Sequence, residues 1–388
     1  MKTVPLIFLL VGSFALVSCL YDPEPYSQTT TPTESAETDF GTVYAVNSGR
    51  QICNPSVSED SINYPASMLW LNFSGNLTVN SAPKGYKTTG AIQHDRLTIS
   101  DTAGKVLWFV MKDSVPGVKC QFQDPEWSTH SNYLVTLGGF PASGKSCDDL
   151  DHGILALRLS DKASFWLFDH SISELATPHL WVGATSAIID STDSLQVFFG
   201  TREVQLVYVS QEDEILWVNY SQSSKVQKLQ KPKSRSGWMF DSPLISPDGK
   251  WIVYNILNGS YEWESYIQEL STTSMPTKMP LLEGMLSEPA QPHWWSYGGR
   301  LFVMWAEFPA GNSMLNKADF SKTTAQDGSL GRTSMREVSL TSGAPSDVAV
   351  EWVGDVRILA PLPFTGGRSP DGYFMATGTN NGYLLNLP

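Results

Sequence analysis

The chain is short of charge, of basic residues and of cysteine, and each shortage excludes a class of protein. Only 17% of its 388 residues are Asp, Glu, Lys or Arg, and the 39 acidic residues outnumber the 26 basic ones, giving a net charge of −13. A surface of that sign repels a phosphate backbone, so nucleic acid is not an expected partner. The one basic cluster, Lys225, Lys228, Lys231, Lys233 and Arg235, reads as a solvated loop. The six histidines (His94, His130, His152, His170, His179 and His293) show no His-x-x-x-His spacing, and the four cysteines show no Cys-x-x-Cys. Nothing therefore points to zinc, and no cofactor is expected. Gly-x-Ser-x-Gly, the strained elbow that presents a hydrolase serine, is absent from the sequence.

Two tempting patterns lack their context. Gly139-Phe-Pro-Ala-Ser-Gly144-Lys145-Ser146 has the spacing of a phosphate-binding loop. Such a loop opens a helix in an alternating strand–helix fold, whereas the residues that follow are acidic and lead into another strand-like run, so no nucleotide is expected. Asp148, Asp149 and Asp151 are close in sequence but lack the spacing of an EF-hand loop, and read as an exposed acidic turn.

What is abundant is turn chemistry and aromatic surface. There are 30 Gly, 24 Pro and 13 Trp, a mixture that favours many short strands over long helices. Ser246-Pro-Asp-Gly249 lies between two short apolar runs and is suited to a tight reversal. Proline pre-sets the first corner, aspartate bonds back to its own backbone, and glycine accepts a positive φ. Related serine-led turns fall at Ser74, Ser128, Ser191, Ser296 and Ser369, giving intervals of 54, 63, 55, 50 and 73 residues. Each interval accommodates one four-stranded unit. Residues 195–199, 204–210 and 215–220 read as strands of one such unit.

The turn and its flanks, Pro243-Leu-Ile-Ser-Pro-Asp-Gly-Lys-Trp-Ile-Val-Tyr254, resemble the PD40 (WD40-like) repeat of TolB-like propellers, roughly Pro-x-φ-Ser-Pro-Asp-Gly-Lys. Residues 369–376 match well, residues 292–305 in part, and the other repeats in outline. The resemblance spans residues 42–388 and implies an all-β fold, a β-propeller of six four-stranded blades, with five or seven as the alternatives because the turns at Ser74 and Ser128 match the repeat least. Residues 42–46 are expected to pair with residues 382–387 and close the ring.

The N-terminal residues have a separate logic. Lys2 precedes an apolar stretch, residues 4–16, that ends in Leu16-Val-Ser-Cys19. This resembles the bacterial lipobox, which implies a signal peptide over residues 1–18 and lipidation of Cys19. Several acyl chains would anchor stably, at about 0.8 kcal/mol per buried methylene. Position 20 is Leu, which by the same resemblance implies outer-membrane sorting in a bacterial envelope. Residues 19–41 hold the lipidated cysteine and a Pro-, Thr- and Glu-rich tether, long enough to set the domain roughly 25 Å from the bilayer.

Export allows disulfides among Cys53, Cys120 and Cys147. In propeller blades the second-to-third-strand loops and the between-blade loops share one rim. That implies Cys120–Cys147, with Cys53–Cys120 as the alternative. The same rim would carry residues 138–152, 255–264 and 306–333, and an aromatic ligand face of Tyr261, Trp263, Trp294 and Trp295. The functional expectation is a non-enzymatic platform for an envelope protein or peptide. A glycan-binding surface protein is the alternative, and a hydrolase or lyase with carboxylates lining the propeller channel is a third reading.

Overall fold

The computed structural model describes residues 36–38, 41–46, 52–169, 177–185, 193–210, 213–232, 239–257, 263–280, 288–308, 332–360, 366–377 and 382–387. The expected signal peptide, Cys19 and most of the tether lie outside these residues. Two strands, β1 (Ala36–Thr38) and β2 (Gly41–Val46), open the described chain, the first of them inside the stretch read as tether.

Five sheets are then built from consecutive strands in a simple meander. The first holds β3 (Ile52–Val57), β4 (Ser67–Asn72), β5 (Arg96–Asp101) and β6 (Val106–Met111). The second holds β7 (Phe122–Trp127), β8 (Tyr133–Pro141), β9 (Leu150–Arg158) and β10 (Ser164–Phe168). In the third are β11 (His179–Thr185), β12 (Arg202–Val209), β13 (Ile215–Asn219) and β14 (Ser223–Lys228). The fourth comprises β15 (Met239–Ile245), β16 (Trp251–Leu257), β17 (Trp263–Glu269) and β18 (Thr277–Lys278). The fifth comprises β19 (Glu288–Tyr297), β20 (Arg300–Phe308), β21 (Arg332–Leu340) and β22 (Val350–Ala360). A further four-stranded sheet, β1-β2-β24-β23, joins both ends of the described chain through β23 (Phe374–Thr377) and β24 (Gly382–Asn386). Thr42 pairs with Asn386 and Val46 with Gly382. The expected count of six blades is thereby corrected to five, while residues 42–46 take the ring-closing position expected of them. Five blades follow one another along the chain, and the remaining sheet is composite because its strands come from opposite ends.

Burial follows position in the sheet. Central β4 is buried at every residue, whereas outer β6 alternates buried and half-buried side chains. Apolar cores fill the spaces between neighbouring sheets. Leu69, Ile99 and Trp108 meet Phe122, Leu134 and Leu155 between the first and second sheets. Val135 and Ile154 meet Leu180 and Leu206 at the next junction, and Val207 and Trp217 meet Ile252 and Tyr254 at the third. Val253 and Ile267 pack with Val303 and Trp305, Phe302 and Met304 with Val43 and Leu385, and Val46 and Leu384 with Ile52 and Met68. The last two junctions seat the composite sheet between the fifth and the first, so the packing runs in a closed circuit. This is the all-β propeller of four-stranded sheets implied by the repeat.

Three local expectations are revised. Ser74 lies in the β4–β5 connection, and the first sheet's serine-led turn is instead at Ser58, whose hydroxyl accepts from Asp60 N–H at 3.0 Å. Residues 195–199 are not a strand but part of a short helix, α1 (Asp193–Phe199). Leu195, Phe198 and Phe199 are spaced three and four apart, so a helix turns all three onto one face against Tyr133, while Val197 stays exposed. Lys145, in the loop-like Gly-x-x-x-x-Gly-Lys-Ser run, lies in the β8–β9 turn. The N–H groups of Ala142, Lys145 and Asp149 donate there to backbone carbonyls and are not free to cradle phosphate. In the same turn Cys147 forms a disulfide with Cys120, Cα–Cα 5.4 Å. Cys53 is buried in β3 and is also disulfide-bonded.

The Ser-Pro-Asp-Gly turns tie one sheet to the next. At Ser246 the hydroxyl donates to Asp248 Oδ1 (2.5 Å) and accepts from Trp251 N–H (3.0 Å), and Gly249 N–H closes onto Ser246 O (2.9 Å). From the preceding sheet Trp181 donates its indole N–H to Pro247 O at 3.0 Å, its ring lying against Gly249. The turn at Ser369 repeats this arrangement. Trp295 of the preceding sheet donates to Ser369 O at 3.2 Å and lies against Gly372. Gly249 has φ +73°, and a Cβ there would come within 2.6 Å of Trp181. Left-handed strain and overpacking together should cost about 2–4 kcal/mol in Gly249→Ala, read as a lowered urea midpoint at unchanged slope. Deleting residues 42–47, which removes β2 from the composite sheet, is expected to lower the melting temperature sharply in a thermal scan.

Candidate ligand-binding cavity

The first strands of four of the five consecutive sheets share an irregularity that the repeat already contained. In Asn54-Pro55, Asp124-Pro125, Ser242-Pro243 and Gln291-Pro292 the residue before proline has φ of 45°, 43°, 48° and 48°. Each pair falls where the strand register breaks. Proline has no N–H for the ladder, and the left-handed residue before it makes a bulge that re-aims the residue after it. Those residues are Ser56, Glu126, Leu244 and His293, and all four line one cavity. His179, which follows Pro178, lines it too. The x of Pro-x-φ-Ser is thus the inward-facing position.

The cavity has a volume of about 220 Å³ and is completed by Glu59, by Trp294 and Trp295, and by Gly366, Gly367 and Arg368. Ser128, Thr129, Pro247, Ser296 and Pro370, from the turns after the first strands or from the turn before β23, also border it. Successive strands of a meander run in opposite directions. The cavity therefore lies at the end opposite the second-to-third-strand loops, which form the rim expected from the sequence.

The polar groups are held by local bonds. Ser56 Oγ donates to Glu126 Oε1 at 2.5 Å and accepts from Trp127 N–H at 3.1 Å, and below them Asn54 Nδ2 donates to Asp124 Oδ1 at 2.7 Å. His179 Nδ1 accepts from Ile245 N–H at 3.0 Å, which places the proton of the neutral ring on Nε2. His293 Nδ1 lies 2.9 Å from Gln291 O and must donate to it, leaving a lone pair on Nε2. Arg368 stacks over Trp295 at 3.9 Å and donates through Nε to Gly372 O at 2.8 Å. Trp295 in turn stacks on Tyr297 at 5.2 Å.

Enclosure moves these groups away from their usual titration ranges. Burial, with the nearby Glu126 charge second, raises the Glu59 pKa to about 8. Burial raises Glu126 to about 7 against the opposing bonds from Ser56 and Trp127. Burial lowers His179 to about 3, reinforced by His293, and lowers His293 to about 4 against its bond to Gln291. Arg368 is lowered by burial to about 10 and stays cationic at neutral pH, with Asp371 holding its charge. At pH 7 the cavity therefore presents two neutral imidazoles, one guanidinium, a largely protonated Glu59 carboxyl and a Glu126 carboxyl near the middle of its titration. Among the described residues no group of three potential ligands is arranged to hold a metal ion.

The sequence-derived ligand face is only partly brought together. Tyr261 lies outside the described residues. Trp263 is fully buried in β17, because its strand position turns it into the sheet interior, and it forms no part of a surface. Trp294 and Trp295 do meet a cavity, but their indole N–H groups are committed to Leu244 O (2.9 Å) and Ser369 O, so they offer ring surface only. Glu59, Glu126, His179, His293 and Arg368 were missed. Aligning the chain on the proline before each turn, rather than on the serine within it, would have found Glu126 and His293.

No family model and no curated protein sequence matches the chain. Among solved structures it is similar to TolB from Acinetobacter baumannii, at 14% identity and TM-score 0.45 over 84% of this chain and 64% of that one. It is also similar to a putative TolB from Agrobacterium tumefaciens, at 13% identity and TM-score 0.45 over 89% and 97% of the two chains. An oligogalacturonate lyase in complex with manganese gives 13% identity and TM-score 0.39 over 88% and 78%.

The folded protein keeps Glu59 protonated up to about pH 8, whereas the unfolded chain releases that proton near 4.5. The unfolded state thus holds fewer protons between those values, and stability falls as pH rises through that window. Glu59→Gln removes the effect. Its melting temperature should exceed that of the parent at about pH 9 and equal it at about pH 4.

Proposed function

We propose that this TolB-like propeller is a non-enzymatic binding module of the bacterial cell envelope. It takes an extended peptide segment of another envelope protein into the cavity at the turn-bearing end of its axis. The observation that carries this reading is the mixed lining of that cavity. A guanidinium, an Nε2–H donor, an Nε2 acceptor, two carboxyls and the ring faces of Trp294 and Trp295 converge from different sheets. Few convergent polar groups in a partly aromatic recess are what a polar, partly apolar ligand requires, and a peptide offers both kinds of group.

In this reading the domain is held at the outer membrane by a lipid on Cys19, and residues 20–35 give it reach. Mass spectrometry of the detergent-extracted, non-reduced chain should find acylated Cys19. A Cys19–Cys53 peptide in its place would remove the anchor.

Affinity capture from envelope extract, with Arg368→Ala as the control, tests the binding module. The parent is expected to retain a defined protein, and the variant to bind it more than about tenfold more weakly, as for loss of a half-buried charged contact. Retention of polysaccharide on a glycan array would favour the glycan-binding alternative. Cleavage of unlabelled wall polymers, lost in Glu126→Gln, would replace the module with a propeller hydrolase or lyase.

A further inference from the structure

We infer that the Glu59–Glu126 wall of the cavity is the seat of a primary ammonium group, either the α-amine or a lysine side chain of the incoming peptide. This inference rests on the binding reading above and adds the chemistry of the group that enters first. Glu59 lines the cavity and makes no hydrogen bond or ion pair among the described residues. Glu126 is bonded only to neutral groups, Ser56 and the Trp127 N–H. Arg368 is directed elsewhere, onto Trp295 and Gly372 O, with Asp371 as the acid that feels its charge.

A second observation comes from the imidazoles. His179 and His293 are only 6% and 8% exposed, both line the cavity, and each uses Nδ1 for a backbone bond. Their Nε2 atoms have no hydrogen-bond partner among the described residues and, with Nδ1 committed, are the ring atoms left for a ligand in the cavity. An ammonium group has three donors, and the cavity offers two carboxylates and the His293 lone pair. A divalent cation is the poorer fit, since calcium and magnesium require about six oxygen ligands and among the described residues not even three acidic or histidine ligands are grouped to hold one.

Entry of a cation would ionise both carboxyls and expel their protons. The groups facing the site from the surrounding elements are Glu59 after β3, Glu126 on β7, His179 on β11, His293 on β19 and Arg368 before β23, with uncharged Leu244 on β15. Both histidines are neutral and Arg368 cationic from about pH 5.5 to about pH 8.5, so the two carboxyls alone titrate across that interval.

The test is calorimetric titration of the full chain in detergent with n-butylammonium chloride, n-butanol and calcium chloride, in two buffers of different ionisation enthalpy. The expected result is that butylammonium binds with proton release, at least about tenfold more tightly at about pH 8.5 than at about pH 5.5. The Glu59→Gln/Glu126→Gln variant should lose that binding, and its melting curve provides the check on folding. Equal affinity for butanol, a flat pH profile, or calcium binding that displaces the amine would each overturn the inference. So would a double variant that still captures the envelope partner lost by Arg368→Ala, an outcome that leaves the binding module standing. Capture by the parent of an N-acetylated lysine peptide assigns the seat to the side chain, and capture only of a free N-terminus assigns it to the α-amine.

Discussion

At two junctions of the ring a tryptophan of one sheet reaches the turn of the next and fixes how the two sheets meet. Trp181 closes on the turn at Ser246 and Trp295 on the turn at Ser369, each with an indole N–H on a backbone carbonyl and a ring face where glycine leaves space. A propeller sheet cannot hydrogen-bond to its neighbour through strand edges, because the sheets meet face to face. Apolar packing between faces is strong but tolerant of sliding. A directional bond to a fixed turn carbonyl sets one sheet's rotation against the next, and with it the aim of the first strands. Gln205 adds to the register at the first of these junctions, donating to Gly249 O while accepting from Trp217.

The same tryptophans connect architecture to the cavity. Trp295 is the latch of the final junction and also the platform on which Arg368 rests. The bulges before each turn make the second connection. A proline that breaks the ladder is a defect in an isolated sheet, but repeated around an axis it turns one side chain per sheet toward a common centre. Scaffold and site are thus two readings of the same dozen residues per repeat.

That economy decides what was legible in the sequence. Ser246-Pro-Asp-Gly249 and Ser369-Pro-Asp-Gly372 were visible because turn chemistry is local: each residue's role is fixed by its own backbone. The pairing of residues 42–46 with the chain's last strand was legible by subtraction, since the last hairpin lacked a neighbour. Leu195, Phe198 and Phe199 were misread because a short apolar run suits a strand as well as a helix, and only the three-four spacing tells them apart. The cavity was not legible residue by residue. Glu59, Glu126, His179, His293 and Arg368 are scattered over more than 300 residues, in surroundings that look like ordinary strand ends. Closure of the ring brings them together, and burial then gives them unusual proton affinities. Trp263 failed as a ligand-face residue for the converse reason, since flanking polar residues suggested a loop where the chain had already entered β17.

The composite sheet has a consequence for how the molecule is made. Five meanders are local in sequence, so each can take shape as soon as its own hundred or fewer residues are available. β2 pairs locally with β1, but its other edge has no such opportunity. Its partner β24 is made only after all five meanders, and until it arrives one edge of β2 stays open and the face of the first sheet that it covers stays bare. Closure is therefore a single late event of very long range. The interval before it is when the nascent protein is most exposed to pairing with other chains.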